Sequence, residues 1–219
     1  MGEQHTCFIY QSLHNYFMSS TKNNQKSTLI SEGEPIGSSL RNHFLIAMPG
    51  LEDPQFSQSI TYICDHNSEG AMGVMINRPM DIVLQDVFEQ LNIDYKKVNS
   101  ATPILSGGPV STQRGFILHP SGRSWQSTLQ ISPDISLTAS KDIISALAEG
   151  DGPEKAQIAL GYSGWGAGQL ETEIKENSWL TVPADAAILF DTPLEQRWSA
   201  AAKVLGIDLH LVSTQLGNA

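Results

Sequence analysis

Residues Gly161–Ile174, GYSGWGAGQLETEI, place four glycines at positions 161, 164, 166 and 168 ahead of an acid-rich, helix-like segment. Such a stretch invites three chemistries, and each needs a residue this one lacks. A nucleophile elbow, G-x-S-x-G, exposes its serine on a turn too tight for a bulky neighbour. Gly161 and Ser163 fit it, but the closing position is Trp165. A phosphate-cradling P-loop closes on Gly-Lys, and Gly166 is followed by Ala167. Dinucleotide spacing counted from Gly164 and Gly166 asks for a small residue where Gln169 stands. Two readings remain. The first is a structural turn packed around Trp165. The second is a ligand loop in which backbone amides at the helix start hold an anion. Glu171 and Glu173 already complement the positive end of that helix and repel a phosphate, so the structural turn leads.

Arginine is scarce, limited to Arg41, Arg78, Arg114, Arg123 and Arg197. Arg78 in INRP (76–79) and Arg114 in SGGPVSTQRGF (106–116) both stand at strand ends beside proline or glycine, where loops carry function. Two guanidinium groups converging there bind a carboxylate or phosphate bidentately. The plainer alternative pairs each with one of the abundant acids. The candidate ligand-binding residues are therefore Asn77, Arg78, Gly107, Gly108, Arg114 and, on the loop reading, Trp165. No catalytic residue is assigned. No metal site is expected either: Cys64 and His66 lie on an extended segment with no second ligand pair, and His43 and His119 flank apolar strands as packed residues do. No cofactor is implied.

These residues need elements to hold them. HFLIAMP (43–49) reads as a buried strand. SITYICDH (59–66) and AMGVMIN (71–77) read as a hairpin turned by NSEG. Asp81 is a plausible N-cap for IVLQDVFEQL, whose Val83, Val87, Phe88 and Leu91 share a helical face. Strands follow over 102–110, 114–120, 127–132 and 135–140. Ser140 then caps a helix that Gly150 stops. AQIALGYS (156–163) is a buried strand leading into the glycine-rich turn. SWLTVP and AAILFD read as strands, and 194–206 as a last helix. Strands outnumber helices without regular alternation, which favours an α+β domain over a doubly wound sheet.

With 219 residues, 40% of them hydrophobic, the chain can bury a core in one domain of residues 39–219. Residues 1–38 are polar and lack periodicity, so they read as a flexible leader. Their MGEQHT matches the N-myristoylation pattern, with Cys7 adjacent, and reads as a chance match. The formal charge is −10, and from Leu40 onward 11 Lys and Arg face 20 Asp and Glu. That balance disfavours a nucleic-acid partner. Two cysteines build no disulfide framework, no apolar run is long enough to span a bilayer, and no secretory signal is visible. A cytoplasmic protein with no membrane partner is expected.

The segments NHFLIAMPGLEDPQFSQSITYICDHNSEGAMGVMINRP, GGPVSTQRGFILH, ALGYSGWGAGQLETEIKENSWL and LFDTPLEQRW resemble, in order and without large gaps, the YqgE/AlgH family of bacterial proteins. The resemblance runs from about Leu40 to about Leu205. It implies one α+β domain whose bifurcated, mostly antiparallel sheet curls into a pseudo-barrel flanked by helices. It implies little about function: the family is largely uncharacterised, some members are labelled transcriptional regulators through association with alginate control, and it supplies no catalytic residues. The expected role is regulatory, through a small ligand or a protein partner, without catalysis. An enzyme acting on a small anionic substrate, with Arg78 and Arg114 as clamps, is the first alternative. A direct DNA-binding regulator is the second. A pocket joining both arginines to a nucleophile or base would favour the enzyme.

Overall fold

A computed structural model describes residues 39–51, 53–96 and 101–207. The leader and its lipidation pattern therefore lie outside the described residues. Ten strands run β1 (His43–Ala47), β2 (Ile60–Asn67), β3 (Gly70–Met75), β4 (Pro79–Val83), β5 (Pro103–Ser106), β6 (Val110–Pro120), β7 (Thr128–Gln130), β8 (Ile135–Thr138), β9 (Gln157–Gly166) and β10 (Trp179–Pro183). The helices are α1 (Leu84–Gln90), α2 (Asp142–Glu149), α3 (Gln169–Lys175), α4 (Ala186–Phe190) and α5 (Arg197–Val204), the last entered through a 3-10 turn at Leu194–Gln196. The sheet order is β10-β1-β2-β3-β9-β6-β8-β7, with β4 and β5 as a branch. All pairings are antiparallel except that of β5 with β9.

The long strand β9 is the spine on which the sheet divides. Its C-terminal half pairs with β3, Gly73 opposite Ser163 and Gly70 opposite Gly166. Its N-terminal half lies between β5 and β6, with Leu160 opposite both Ser106 and Gly115. At the fork Gly107 crosses between the halves: its amide donates to Leu160 O and its carbonyl accepts from Met75 N, each at 2.8 Å. The two halves curl into a half-barrel with helices on its flanks. Arg41, just before β1, draws the far end of the sheet inward. Its Nη2 donates to Gln130 O at 2.6 Å and its Nε to Ile131 O at 3.2 Å.

Alternation along the strands sends Phe44, Ile46, Ile60, Tyr62, Val74 and Ile76, all fully buried or nearly so, to one face. Leu45, Ala47 and Ile63 go to the other, where they meet Trp165, Trp179 and Leu170 of α3. In the second half, α1 and α2 bring Leu84, Phe88, Ile143 and Ile144 onto Ile104, Ile117 and Ile158. The α2 stop is as expected: Gly150 adopts φ 79° and its amide bonds back to Ala146 O and Leu147 O.

Four local expectations are corrected. Asp81 is not an N-cap but lies within β4, which pairs with β5. The helix starts at Leu84, and Asp86 reaches back to accept from Val83 N at 2.7 Å. AAILFD is α4 rather than a strand, because Asp185 accepts from Ala187 N at 2.7 Å and starts a helical turn that the short apolar run does not announce. Ser140 gives way to Lys141 as the cap of α2, its hydroxyl bonding Asp142 instead. The glycine-rich stretch is mostly not a turn: β9 continues through Gly166, paired to β3, and only Ala167 and Gly168 lead into α3.

Candidate functional site

Strand alternation puts Trp165 on the covered face of the sheet, 7% exposed. Its ring meets Trp179 edge-on at 6.1 Å between centroids. Both indoles converge on one acceptor: Trp165 Nε1 donates to Glu173 Oε2 at 2.9 Å and Trp179 Nε1 to the same oxygen at 2.8 Å. Gln169 Nε2 donates to Glu173 Oε1 at 2.9 Å, while Gln169 Oε1 accepts from Gly166 N at 3.0 Å. The indole N–H thus goes to a carboxylate and not to backbone as its packed position alone suggests. Gly166, whose amide the loop reading offers to an anion, donates to this side-chain chain. Spacing hides such a cluster, because Glu173 meets Trp179 only once α3 has turned back toward β10. Glu173→Ala strands two indole donors and should cost about 2–3 kcal/mol, as loss of charged acceptors does. The drop should be visible as a lower unfolding midpoint with red-shifted tryptophan emission, and Glu173→Gln should recover part of it.

The arginine candidates separate. Arg78 follows β3, and its Nη2 donates to Pro54 O at 3.4 Å and more closely to Ser57 O. Asn77 pins the same loop, accepting from Ile60 N at 3.0 Å and donating to Gln58 O at 2.9 Å. These residues wall a cleft of about 710 Å³. Leu51, Pro54, Ser57 and Gln58 line it from the loop before β2, Asn77 and Arg78 from just after β3, and Glu195 and Trp198 from the 3-10 turn and the start of α5. Trp198 is fixed there by its Nε1, which donates to Ala47 O at 3.0 Å. Arg78 makes no ion pair among the described residues.

Between Glu195 and Trp198 in sequence sits Arg197, only 3% exposed, a residue that sequence reasoning counts but does not single out. Its guanidinium is held by neutral acceptors: Nε donates to Thr192 O at 2.9 Å, and Nη1 to Ile76 O at 2.6 Å and Gln157 Oε1 at 3.2 Å. Burial pushes its pKa down to about 10, with the Glu195 charge opposing the fall. It remains a cation at neutral pH. A buried charge beside a cleft is the one signal of a site here that a sequence cannot display.

Arg114 does not line this cleft. Its guanidinium lies 5.3 Å from the Phe116 ring centroid, and Phe116 packs edge-on against Tyr162 at 5.8 Å. Burial raises the Tyr162 phenol above its usual range, and Arg114 partly offsets that. Gly107 and Gly108 face backbone: a Cβ on Gly107 would stand 2.3 Å from Gly161 O, and one on Gly108 2.2 Å from the Tyr162 carbonyl carbon. A second cleft, about 640 Å³, holds Arg123 and Lys155 beside Trp125 and Phe190. Both cations there are already paired, with Asp151 and Asp191. Beneath Trp125, His119 is fully buried. Its Nδ1 donates to Pro120 O at 2.9 Å, so Nε2 accepts from the Thr138 hydroxyl at 2.8 Å. Burial lowers its pKa, against the Pro120 hydrogen bond.

His66 accepts from Leu40 N on Nδ1 at 2.8 Å and meets Glu171 through Nε2 at 2.9 Å, tying β2 to α3. Cys64 is fully buried, and burial pushes its thiol far up. Among the described residues no three His, Cys, Asp or Glu side chains gather as metal ligands, and no helix is long and apolar enough to cross a membrane.

Residues 44–210 match the family model described as AlgH-like. A UPF0301 protein of Saccharophagus degradans is 58% identical over 181 residues, covering 83% of this chain and 89% of that protein. The UPF0301 protein AlgH of Pseudomonas aeruginosa is 53% identical over 182 residues, covering 82% of this chain and 96% of the relative. The solution structure of AlgH from Pseudomonas aeruginosa superposes with a TM-score of 0.69 at 50% identity, over 87% of this chain and all (100%) of that one. A crystal structure of a Corynebacterium diphtheriae protein, 18% identical with a TM-score of 0.61 over 84% of this chain and 94% of that one, shares the fold.

Proposed function

This chain belongs to the AlgH-like family, and from that premise we propose that it is a cytoplasmic, ligand-responsive regulatory module that seats a small anion against Arg78. The observation that carries the reading is the charge of the cleft. In a chain of formal charge −10, this cleft is lined by Arg78, the buried Arg197 stands between its lining residues Glu195 and Trp198 in sequence, and among the described residues Glu195 is the one acid on its wall. A guanidinium held in place by the Pro54 and Ser57 carbonyls presents its remaining N–H groups at little entropic cost, which suits a carboxylate. The volume lies within the range of small-molecule sites, roughly 300–1,000 Å³. Two features favour binding over catalysis. Arg114 stands away from Arg78, so the two-arginine clamp of the enzyme alternative is not assembled. Among the described residues that line the cleft, Ser57 is the one hydroxyl side chain, and no histidine lines it to act as a base. A regulatory effect on transcription would then pass through the ligand or a protein partner. The chain's acid excess argues against direct contact with DNA.

The test is a titration of the full-length protein with isocaproate and with inorganic phosphate, followed by the NMR signals of the Arg78 Nε–H and Trp198 indole N–H. Saturable shifts in those signals, lost in a folded Arg78→Gln variant, are the expected result. Unmoved signals at millimolar probe, or shifts centred on Arg123 instead, would sink the reading.

A further inference from the structure

The cleft walls carry opposite charges that do not meet. Arg78 is tied to the 54–57 loop through Pro54 O and Ser57 O, and Asn77 anchors the same segment through Ile60 N and Gln58 O. Glu195 lines the same cleft from the 3-10 turn Leu194–Gln196 that leads into α5. No ion pair within 4.0 Å joins the two, and among the described residues neither pairs with another side chain of opposite charge at that range. Unlike charges on a mobile surface would close on each other. Here Arg78 is held by the Pro54 and Ser57 carbonyls and does not swing to Glu195, and both residues line a cleft of about 710 Å³. The Glu195 charge also favours the charged form of the buried Arg197. Leu51, Pro54 and Trp198 supply the apolar part of the lining, and Ser57, Gln58 and Asn77 the rest.

We infer that the ligand of this cleft is a zwitterion, an apolar α-amino acid, with its carboxylate on the Arg78 guanidinium, its ammonium on Glu195 and its side chain against Leu51, Pro54 and Trp198. This rests on the anion-binding reading above and adds a second requirement to it. A ligand with the carboxylate alone leaves Glu195 without a counter-charge beside an apolar group. A ligand with the ammonium alone leaves Arg78 in the same position. Two fixed charges of opposite sign therefore discriminate by charge pattern more sharply than one arginine does.

The experiment compares leucine, isocaproate and leucinamide, and the matching phenylalanine series, by calorimetric titration of the full-length protein. The free amino acids should bind, and both single-charge analogues should bind at least about ten-fold more weakly, the ratio expected from losing one charge-assisted hydrogen bond. Glu195 is exposed, so Glu195→Gln keeps the fold. It should abolish the preference for leucine over isocaproate, weakening leucine while isocaproate binds as well as before or better. Isocaproate binding as tightly as leucine would overturn the ammonium subsite and leave the anion reading intact. Leucinamide binding as tightly as leucine would overturn the role of Arg78 and both readings with it. Binding by none of the probes at millimolar concentration would also remove both.

Discussion

Gly108→Ala should yield little or no folded protein. Gly108 has φ +152°, where side chains are strained, and an added Cβ would lie 2.2 Å from the carbonyl carbon of Tyr162, 2.3 Å from its oxygen and 2.4 Å from Ser163 N. Those atoms are backbone of β9, the strand every branch of the sheet shares, so they have nowhere to go. The crossing is tight from both sides, since a Cβ on Gly161 (φ +76°) would stand 2.4 Å from Gly108 O. Separating the two backbones breaks the fork itself: the bonds from Gly107 N to Leu160 O and from Met75 N to Gly107 O go with it. The cost should exceed about 4 kcal/mol, the range of disrupted cores and strained backbone. That is a large part of a typical stability of roughly 5–15 kcal/mol. Any soluble fraction should melt at least about 8 °C lower, at roughly 2–4 °C per kcal/mol for a domain of this size. Gly115→Ala is the control. On the same stretch of chain a Cβ there meets nothing within 4 Å, so its midpoint should stay within a degree or two. Equal midpoints for the two variants would show that the fork tolerates separation.

Arg197→Ala should cost about 3–5 kcal/mol, and the reason is not an ion pair. The guanidinium joins three parts of the molecule distant in sequence: Ile76 O at the end of β3, Thr192 O after α4 and Gln157 Oε1 at the start of β9. Burial opposes the charge, pushing its pKa down to about 10, so the residue carries a desolvation penalty at neutral pH. Truncation relieves that penalty, but it leaves those acceptors unpaired and a cavity where the side chain was buried. These losses outweigh the relief. Arg197→Met keeps most of the volume and isolates the polar loss, so its midpoint should fall by about half as much. Arg197→Lys keeps the charge without the planar fork and should fall between the two. Thermal unfolding of the three variants decides the matter. A methionine variant at least as stable as the parent would mean that desolvation dominates and that Arg197 is retained for the charge it lends the cleft.

Much of this architecture is local chemistry that a single strand or helix expresses by itself. The alternation of HFLIAMP and SITYICDH, the turn at NSEG and the stop at Gly150 read directly as β1, β2, β3 and the end of α2. So did the excess of strands over alternating helices, and the ordered segments that place the chain in its family. The errors fall where two local readings are equally good. AAILFD is a short apolar run that suits a strand or a helix, and a single Asp185 cap decides it. The residues after Arg78 carry helical periodicity, yet Pro79–Val83 goes into β4 because β5 offers it a ladder.

What only the tertiary structure decided is which distant residues meet. The glycines at 107, 108 and 161 signal conformational freedom to any reader. That they are one backbone crossing depends on β5 running parallel to β9, a pairing with residues 107–156 between its strands. Trp165 is visibly a packing residue, but its partner Glu173 is also bonded to Trp179, which α3 alone brings into range. Arg78 and Arg114 look alike on paper and part company in space, one on a cleft and one over Phe116. The buried arginine, Arg197, sits in an ordinary amphipathic helix. The physical reason is common to all four cases. Propensity and periodicity act within a few turns of chain, whereas burial of a charge, collision of two backbones and the walls of a cleft are pair properties that exist only after the sheet has curled.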